Sequence, residues 1–394
     1  MSPPCVILSA CRTPVGAFNG LLSTVPATKL GAIVVGEALE RSRNLKSEDV
    51  DQVIMGNVLS AGLGQAPARQ ASLGAGLPPA VCTFTVSKVC GSGLKAVMLG
   101  AQSVSTGEAE VVIAGGMESM SRAPYILDHA RTGYRLGHSY ITDSMVHDGL
   151  WDVYNNYHMG TAAELLAERY EFSRKDLDDF AIQSYERALQ AQREGRFAEE
   201  IVSVKAPGRD GKQEVVKEDE CPRRFNRDKM PTLPPAFKDG GRLTAGNSSA
   251  ISDGASALVL ASEDRARSLG VEPMAKIVAQ AEAGLLPELF SLAPVTAIKK
   301  LLKKMGLTIK DIDLFEINEA FASTCLAISQ ELEVDPDRLN VKGGAIALGH
   351  PIGASGARVL TTLLYAMRER QVKRGLAALC IGGGEAVAVA VEAV

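Results

Sequence analysis

Short runs of consecutive apolar residues, closed by glycine, alternate along the chain with longer stretches in which apolar side chains recur every three or four positions. Val111-Val112-Ile113-Ala114, ended by Gly115-Gly116, is a run of the first kind, and Leu94 to Val104 is a stretch of the second. The first pattern predicts strands buried on both faces and the second predicts helices that cover them, so the chain reads as α/β. The pattern also repeats. Asp49-Val50-Asp51-Gln52-Val53-Ile54-Met55 matches Asp311-Ile312-Asp313-Leu314-Phe315-Glu316-Ile317 at a separation of 262 residues, and Gly91-Ser92-Gly93 matches Ala354-Ser355-Gly356 at 263. Val111 to Gly116 resembles Ala377 to Gly384, and Val6 to Ala10 resembles Ile277 to Gln280. Four matches in one order predict a duplicated domain with a pseudo-twofold core.

Between the copies the character changes. Residues 121–247 hold the only tryptophan, Trp151, a charged helix from Ser173 to Glu194 and the polar turn Pro207-Gly208-Arg209-Asp210-Gly211. This stretch reads as a loop-rich insertion of the kind that carries recognition over a rigid scaffold. The expected domains are 1–120 with 248–272, the insertion 121–247, and 273–394.

Composition narrows the classes. The 394 residues exceed one ordinary core, and 46% apolar with 22% charged residues describes a folding chain without a disorder signature. A net charge of −4 gives no general attraction for nucleic acid or anionic lipid. No segment has the roughly 20 uninterrupted apolar residues that span a bilayer. The start, Met1-Ser2-Pro3-Pro4-Cys5, has no signal or transit pattern, and Glu392-Ala393-Val394 is no peroxisomal tripeptide, so the expected address is the cytoplasm. Seven cysteines, without a Cys-x-x-Cys pair or zinc-like spacing, are expected to stay reduced, with no metal site among them.

Three glycine-rich points each present a Cys or His: Val89-Cys90-Gly91-Ser92-Gly93, Gly343 to Pro351 with His350, and Cys380 before Gly382-Gly383-Gly384. Cys90 is expected at a helix N-terminus, where a thiolate is favoured and the pKa falls. A cysteine taken alone is more often a small buried core residue, but that reading leaves the following Gly-Ser-Gly unexplained. His350 is the best placed of five histidines to act as its base, although a lone histidine is usually structural. The glycines after Cys380 offer backbone N–H groups for an oxyanion hole or, alternatively, a phosphate cradle.

Cys90-Gly91-Ser92-Gly93, Asn318-Glu319-Ala320-Phe321, Gly343 to Pro351 and Cys380-x-Gly382-Gly383-Gly384 together resemble the thiolase family, from about residue 5 to the C-terminus. Tyr157-His158-Met159-Gly160 resembles the acetoacetyl-CoA thiolases (acetyl-CoA C-acetyltransferases), where it narrows the acyl pocket. Leu289-Phe290-Ser291 and Asn247-Ser248-Ser249 are similar to the branch holding the mitochondrial and plant enzymes. The resemblance implies two βαβαβαββ halves in a five-layered αβαβα thiolase fold with an inserted CoA-binding loop domain. It implies condensation of two acetyl-CoA into acetoacetyl-CoA and CoA, with CoA a substrate and no cofactor.

By resemblance, Cys90 is the acylated nucleophile, His350 its base and an oxyanion donor, Cys380 the acid/base at the α-carbon, Asn318 the holder of an oxyanion-hole water, and Gly382 a backbone donor. Ser249 and His158 line the pantetheine arm, Phe237 and Phe321 its apolar walls, and Arg223 the nucleotide phosphates. Phe237 and Phe321 also read as ordinary core, and Arg223 as part of a solvated loop. A homotetramer, a dimer of dimers, is implied as well.

The chain departs from the family pattern at three places. Glu385-Ala386 follow the triple glycine where Met-Gly or Gln-Gly is common, which leaves Glu385 facing solvent or acting on a nearby thiol. Ser87 replaces a common asparagine. Asp219-Glu220-Cys221-Pro222 lacks the tyrosine that helps to hold potassium in the potassium-activated enzymes, which argues against potassium dependence. Two other readings stay open. A degradative 3-ketoacyl-CoA thiolase of broader chain length is opposed by the His158-Met159 segment, and a non-catalytic acyl-CoA or lipid-binding protein is opposed by the joint presence of Cys90, Asn318, His350 and Cys380.

Overall fold

A computed structural model describes residues 4–208 and 212–394. One ten-stranded sheet runs through the molecule. Its nine main strands are β1 (Cys5–Arg12), β2 (Gln52–Gly56), β3 (Cys82–Val86), β4 (Val111–Ser119), β5 (Ser252–Ser262), β6 (Ala275–Gly284), β7 (Leu314–Ile317), β8 (Arg374–Ile381) and β9 (Glu385–Ala393). They lie in the order β7-β8-β9-β6-β1-β5-β4-β2-β3, with the short strand Gly16–Ala17 on β5. Read outward from the β1–β6 seam, the two sides match: an antiparallel pair of pairs, then a parallel strand. Even an irregularity is duplicated, since pairing slips between Ile7 and Ser9 in β1 and between Ile277 and Ala279 in β6. All four sequence matches fall on equivalent elements.

The helices are α1 (Ala27–Arg41), α2 (Pro67–Gly74), α3 (Ser92–Thr106), α4 (Met159–Arg169), α5 (Arg174–Arg193), α6 (Glu263–Leu269), α7 (Ala293–Met305), α8 (Ala322–Leu332), α9 (Ala345–Leu348) and α10 (Ser355–Arg370). Alternation along β4 shows why its apolar run is continuous. Val112 and Ala114 point inward to Leu94 and Val97 of α3 and Leu360 and Leu363 of α10. Val111 and Ile113 point outward to Leu30 and Val34 of α1. On the other side Leu376 and Ala378 of β8 face Ile298 and Leu301 of α7. The five layers are therefore α1/α2, the first half-sheet, α3/α10, the second half-sheet, and α7/α8.

The middle layer is possible because of two glycines. A Cβ on Gly356 would lie 2.2 Å from Leu94 N, and one on Gly93 would lie 2.8 Å from Ala357 N. These related positions let α3 and α10 cross backbone to backbone near their N-termini.

The second half lacks one expected strand. Where β3 pairs β2, the equivalent segment makes only an isolated bridge between Phe315 and Leu339. Asn340 takes over: its Oδ1 accepts from Ile317 N and its Nδ2 donates to Ile317 O, both at 2.9 Å. A side-chain amide thus satisfies the groups that a strand would pair, which frees residues 341–349 for a loop.

The insertion contains α4, α5 and three two-stranded ribbons. It is tied to β1 by the buried Arg12, whose guanidinium donates to both oxygens of Asp219 at 2.7 and 2.9 Å and to Glu200 at 2.6 Å. Residues 209–211 of the expected polar turn lie outside the described residues. Among the described residues no helix is long and apolar enough to cross a membrane.

Candidate active site

The two crossing helices bring their preceding loops together. Cys90 lies just before α3, whose N-cap is Gly91, so the sulfur is at the expected helix end. It packs on Leu59, Met120, Met145 and Ile352, the last two residues beyond His350. The backbone N–H groups of Gly382 and of Cys90 itself lie near enough to its sulfur to favour a negative charge there. Its thiol is nonetheless pushed up to about 11, because burial in apolar surroundings outweighs those two donors. The lowered pKa expected from the helix end is therefore corrected: near-complete desolvation is the larger effect.

Cys380, at the end of β8, is 1% exposed and close enough to Cys90 that a charge on Cys90 disfavours one on Cys380. Burial first and Cys90 second hold its thiol well above the usual range. Both sulfurs are protonated at neutral pH. Alkylation of Cys90 by iodoacetamide, followed on the Cys90 peptide by mass spectrometry, is expected to accelerate roughly tenfold per pH unit from about pH 7 to pH 10. A rate that levels off near neutrality would contradict the buried-thiol assignment.

His350 sits in the loop between α9 and α10. Ser355 Oγ donates to Pro351 O at 2.9 Å and lies 2.5 Å from His350 Nδ1. The hydroxyl has one proton, already given to Pro351, so Nδ1–H donates to Ser355 and the lone pair resides on Nε2. Asn318 Nδ2 lies 3.5 Å from Nε2. Burial and the nearby Arg358 charge lower the imidazole to about 3, which keeps it neutral. A neutral imidazole with a free Nε2 lone pair can take a proton and, once protonated, donate it.

Two buried carboxylates that the sequence reading did not single out for a role fix this loop at both ends. Glu319 accepts from Ile346 N, Ser184 Oγ and Asn340 Nδ2. Glu118, from the other half, accepts from Gly353 N at 2.9 Å and from Asn57 Nδ2, Val58 N and Leu59 N. Burial raises Glu118 to about 7. For Ser355 a signal existed, because the repeat aligns it with Ser92, whose hydroxyl likewise closes the turn before its helix by donating to Val89 O. Nothing in sequence marked Glu118, whose partners come from two separate segments, 57–59 and Gly353.

The remaining candidates form a wall beside the thiols. His158 stacks on Phe237 with centroids 5.0 Å apart, Phe237 meets Phe321 edge-on at 5.8 Å, and Phe290 meets Phe321 at 6.3 Å. His158 Nδ1 accepts from Gly160 N at 3.0 Å, which leaves Nε2–H to donate outward. The Met159 thioether lies within 3.6 Å of the space beside Gly382. Ser249 is fastened beside Asn318 by its N–H to Ala320 O at 3.0 Å. Arg223 is joined to Glu218 on an exposed turn rather than to this wall. Of its two readings Glu385 takes the solvent-facing one, half-exposed, and it pairs there with Lys88 at 2.8 Å.

The Thiolase, N-terminal domain model matches residues 5–264, and the Thiolase, C-terminal domain model matches 271–393. The chain is 51% identical over 388 residues to an acetyl-CoA acetyltransferase of Cupriavidus necator, covering 98% of each. It is 50% identical over 385 residues to one of Pseudomonas aeruginosa, again covering 98% of each. The crystal structure of the Bacillus anthracis acetyl-CoA acetyltransferase superposes with a TM-score of 0.97 at 40% identity, over 100% of this chain and 99% of that one. The Acat5 thiolase from Ascaris suum in complex with coenzyme A gives 0.94 at 43% identity, over 99% of this chain and 100% of that one. The fold, the paired thiols and these likenesses over almost the whole length agree: the chain belongs to the thiolase family.

Proposed function

We propose that the protein is an acetyl-CoA C-acetyltransferase that joins two acetyl-CoA into acetoacetyl-CoA and CoA, reversibly, through an acetyl group on Cys90. The observation that carries this reading is the meeting of two thiols from opposite halves, half-buried Cys90 before α3 and buried Cys380 at the end of β8. The names of the relatives and the coenzyme A complex of the Ascaris protein support it.

In the first step His350 Nε2 takes the Cys90 proton, the sulfur attacks the thioester carbonyl, and the N–H groups of Cys90 and Gly382 receive the negative oxygen. The C–S bond to CoA breaks, and the departing thiolate takes the proton back from His350. In the second step His350, neutral again, takes the Cys380 proton, the Cys380 thiolate removes the α-proton of another acetyl-CoA, and the carbanion attacks the acetyl carbonyl. The Cys90 thiolate leaves and recovers its proton from His350, while Cys380 keeps the α-proton, which restores the resting state. Protonated His350 and a water on Asn318 stabilise the enolate oxygen. Because burial keeps Cys380 protonated at rest, the resting enzyme is prepared for the cleavage direction, in which Cys380 protonates the leaving carbanion.

The insertion 121–247 acts as the CoA-binding loop domain, supplying His158 and Met159 beside the pantetheine arm, Phe237 on its wall and Arg223, which reaches the phosphates once released from Glu218; Ser249, Phe290 and Phe321 join them from the flanking halves. The enzyme works as a homotetramer in the cytoplasm. Supporting the assembly, β3 ends the sheet with an unpaired edge that exposes Phe84, and Leu136 and Tyr140 stand 100% and 87% exposed on the insertion. Supporting the compartment, all seven cysteines are free thiols.

A chain-length series tests the substrate. Acetoacetyl-CoA with CoA is expected to be cleaved at least roughly tenfold faster, in kcat/KM, than straight 3-ketoacyl-CoA substrates several carbons longer. Equal rates would favour the broad-range thiolase, and binding without turnover the non-catalytic reading. Turnover of 2-methylacetoacetyl-CoA would support the branch suggested by Phe290, and its rejection would overturn that branch.

A further inference from the structure

The two N–H groups near the Cys90 sulfur come from segments 292 residues apart in sequence, on opposite sides of the seam between the halves. Two contacts across that seam lie beside them. Gly91 packs against Ile381 so closely that a Cβ there would be 2.4 Å from Ile381 Cδ1, which limits how near the segments can come. Lys88 Nζ donates to Glu385 Oε2 at 2.8 Å, which limits how far they can part. Lys88 precedes Cys90 by two residues, and Glu385 follows Gly382 by three.

The elbow on the Cys90 side is under strain. Val89 has φ +43°, a left-handed conformation that a β-branched residue strongly disfavours. Its local bonds close it on itself: Lys88 N donates to Ser92 Oγ at 2.8 Å, Ser92 Oγ to Val89 O at 2.7 Å, and Gly91 N to Lys88 O at 3.0 Å. None of these reaches the second half. The anchor, by contrast, is firm, because Glu385 begins β9 and is paired in the sheet with Ile381 and Gly284.

We infer that the Lys88–Glu385 ion pair is a strap that holds the strained nucleophile elbow at the spacing where the Cys90 and Gly382 N–H groups both reach the reacting oxygen. Lys88 and Glu385 are positioning residues, and the inference rests on the acetyltransferase reading above. Half-exposed ion pairs contribute little to global stability, so the effect is expected in rate and not in melting.

The test compares the full-length wild type with Lys88→Gln, Glu385→Gln, the double variant and the charge swap K88E/E385K, in acetoacetyl-CoA cleavage. Each single change is expected to lower kcat about two- to fivefold with KM and Tm unchanged, and the double variant to be no slower than the singles. The swap is expected to recover most of the loss. Raising salt from about 0.05 to 0.5 M is expected to slow the wild type toward the double variant and to leave the double variant as it was. Lys95→Gln, which breaks another seam pair, Lys95–Glu282, along α3, is expected to leave kcat unchanged. Unchanged kcat in every strap variant, effects that multiply in the double, failure of the swap to recover, or an equal loss in Lys95→Gln overturns the strap. An inactive wild type overturns the acetyltransferase reading itself.

Discussion

Cys90→Ala is expected to lower turnover of acetoacetyl-CoA by on the order of 10⁴-fold or more and to leave no acetyl adduct on the protein after incubation with acetyl-CoA. The side chain is half-buried against Leu59, Met145 and Ile352, and alanine keeps the β-carbon, so the fold should survive. What is lost is the covalent intermediate, which no neighbour replaces: burial holds the Cys380 thiol protonated still more strongly than Cys90. Intact-protein mass spectrometry after acetyl-CoA treatment decides the point. An adduct persisting on Cys90→Ala would move the nucleophile elsewhere.

Gly356→Ala is expected to be strongly damaging, at about 3–5 kcal/mol of folding stability. The new carbon would sit 2.2 Å from Leu94 N and 2.7 Å from Leu94 Cβ. Backbone cannot swing aside as a side-chain tip can, so α10 must move away from α3. That movement carries Ser355, the partner of His350 Nδ1, and separates the base from the Cys90 elbow. Urea unfolding and acetoacetyl-CoA cleavage measured on the same preparation should both fall. A variant with wild-type stability would mean that the crossing is looser than these distances state.

Strands and repeat were legible because a strand buried on both faces leaves a continuous apolar run, and β4 and β8 are such runs. The insertion was legible because its composition breaks that pattern. The missing strand of the second half was not, since an asparagine that mimics strand pairing looks like any polar residue until Ile317 is seen beside it. The candidate residues were legible as types in motifs, but the direction of the Cys90 shift was not. Helix-end attraction can be read from position in the chain, whereas desolvation depends on Leu59, Met145 and Ile352 converging from three distant segments. Glu385 remained ambiguous for the same reason: its partner Lys88 is 297 residues away.

The crossing at Gly93 and Gly356 has a historical consequence. Because Cys90, the proposed nucleophile, precedes one of the paired helices and His350, its proposed base, precedes the other, neither half of the chain holds the whole proposed site. An ancestor of half this length would have had to assemble as a homodimer, in which the two glycines were one position and every substitution there was made twice. With both copies in one chain the two positions are independent: Cys90 and His350 stand before the paired helices as different residues, while glycine occupies the contact on both sides.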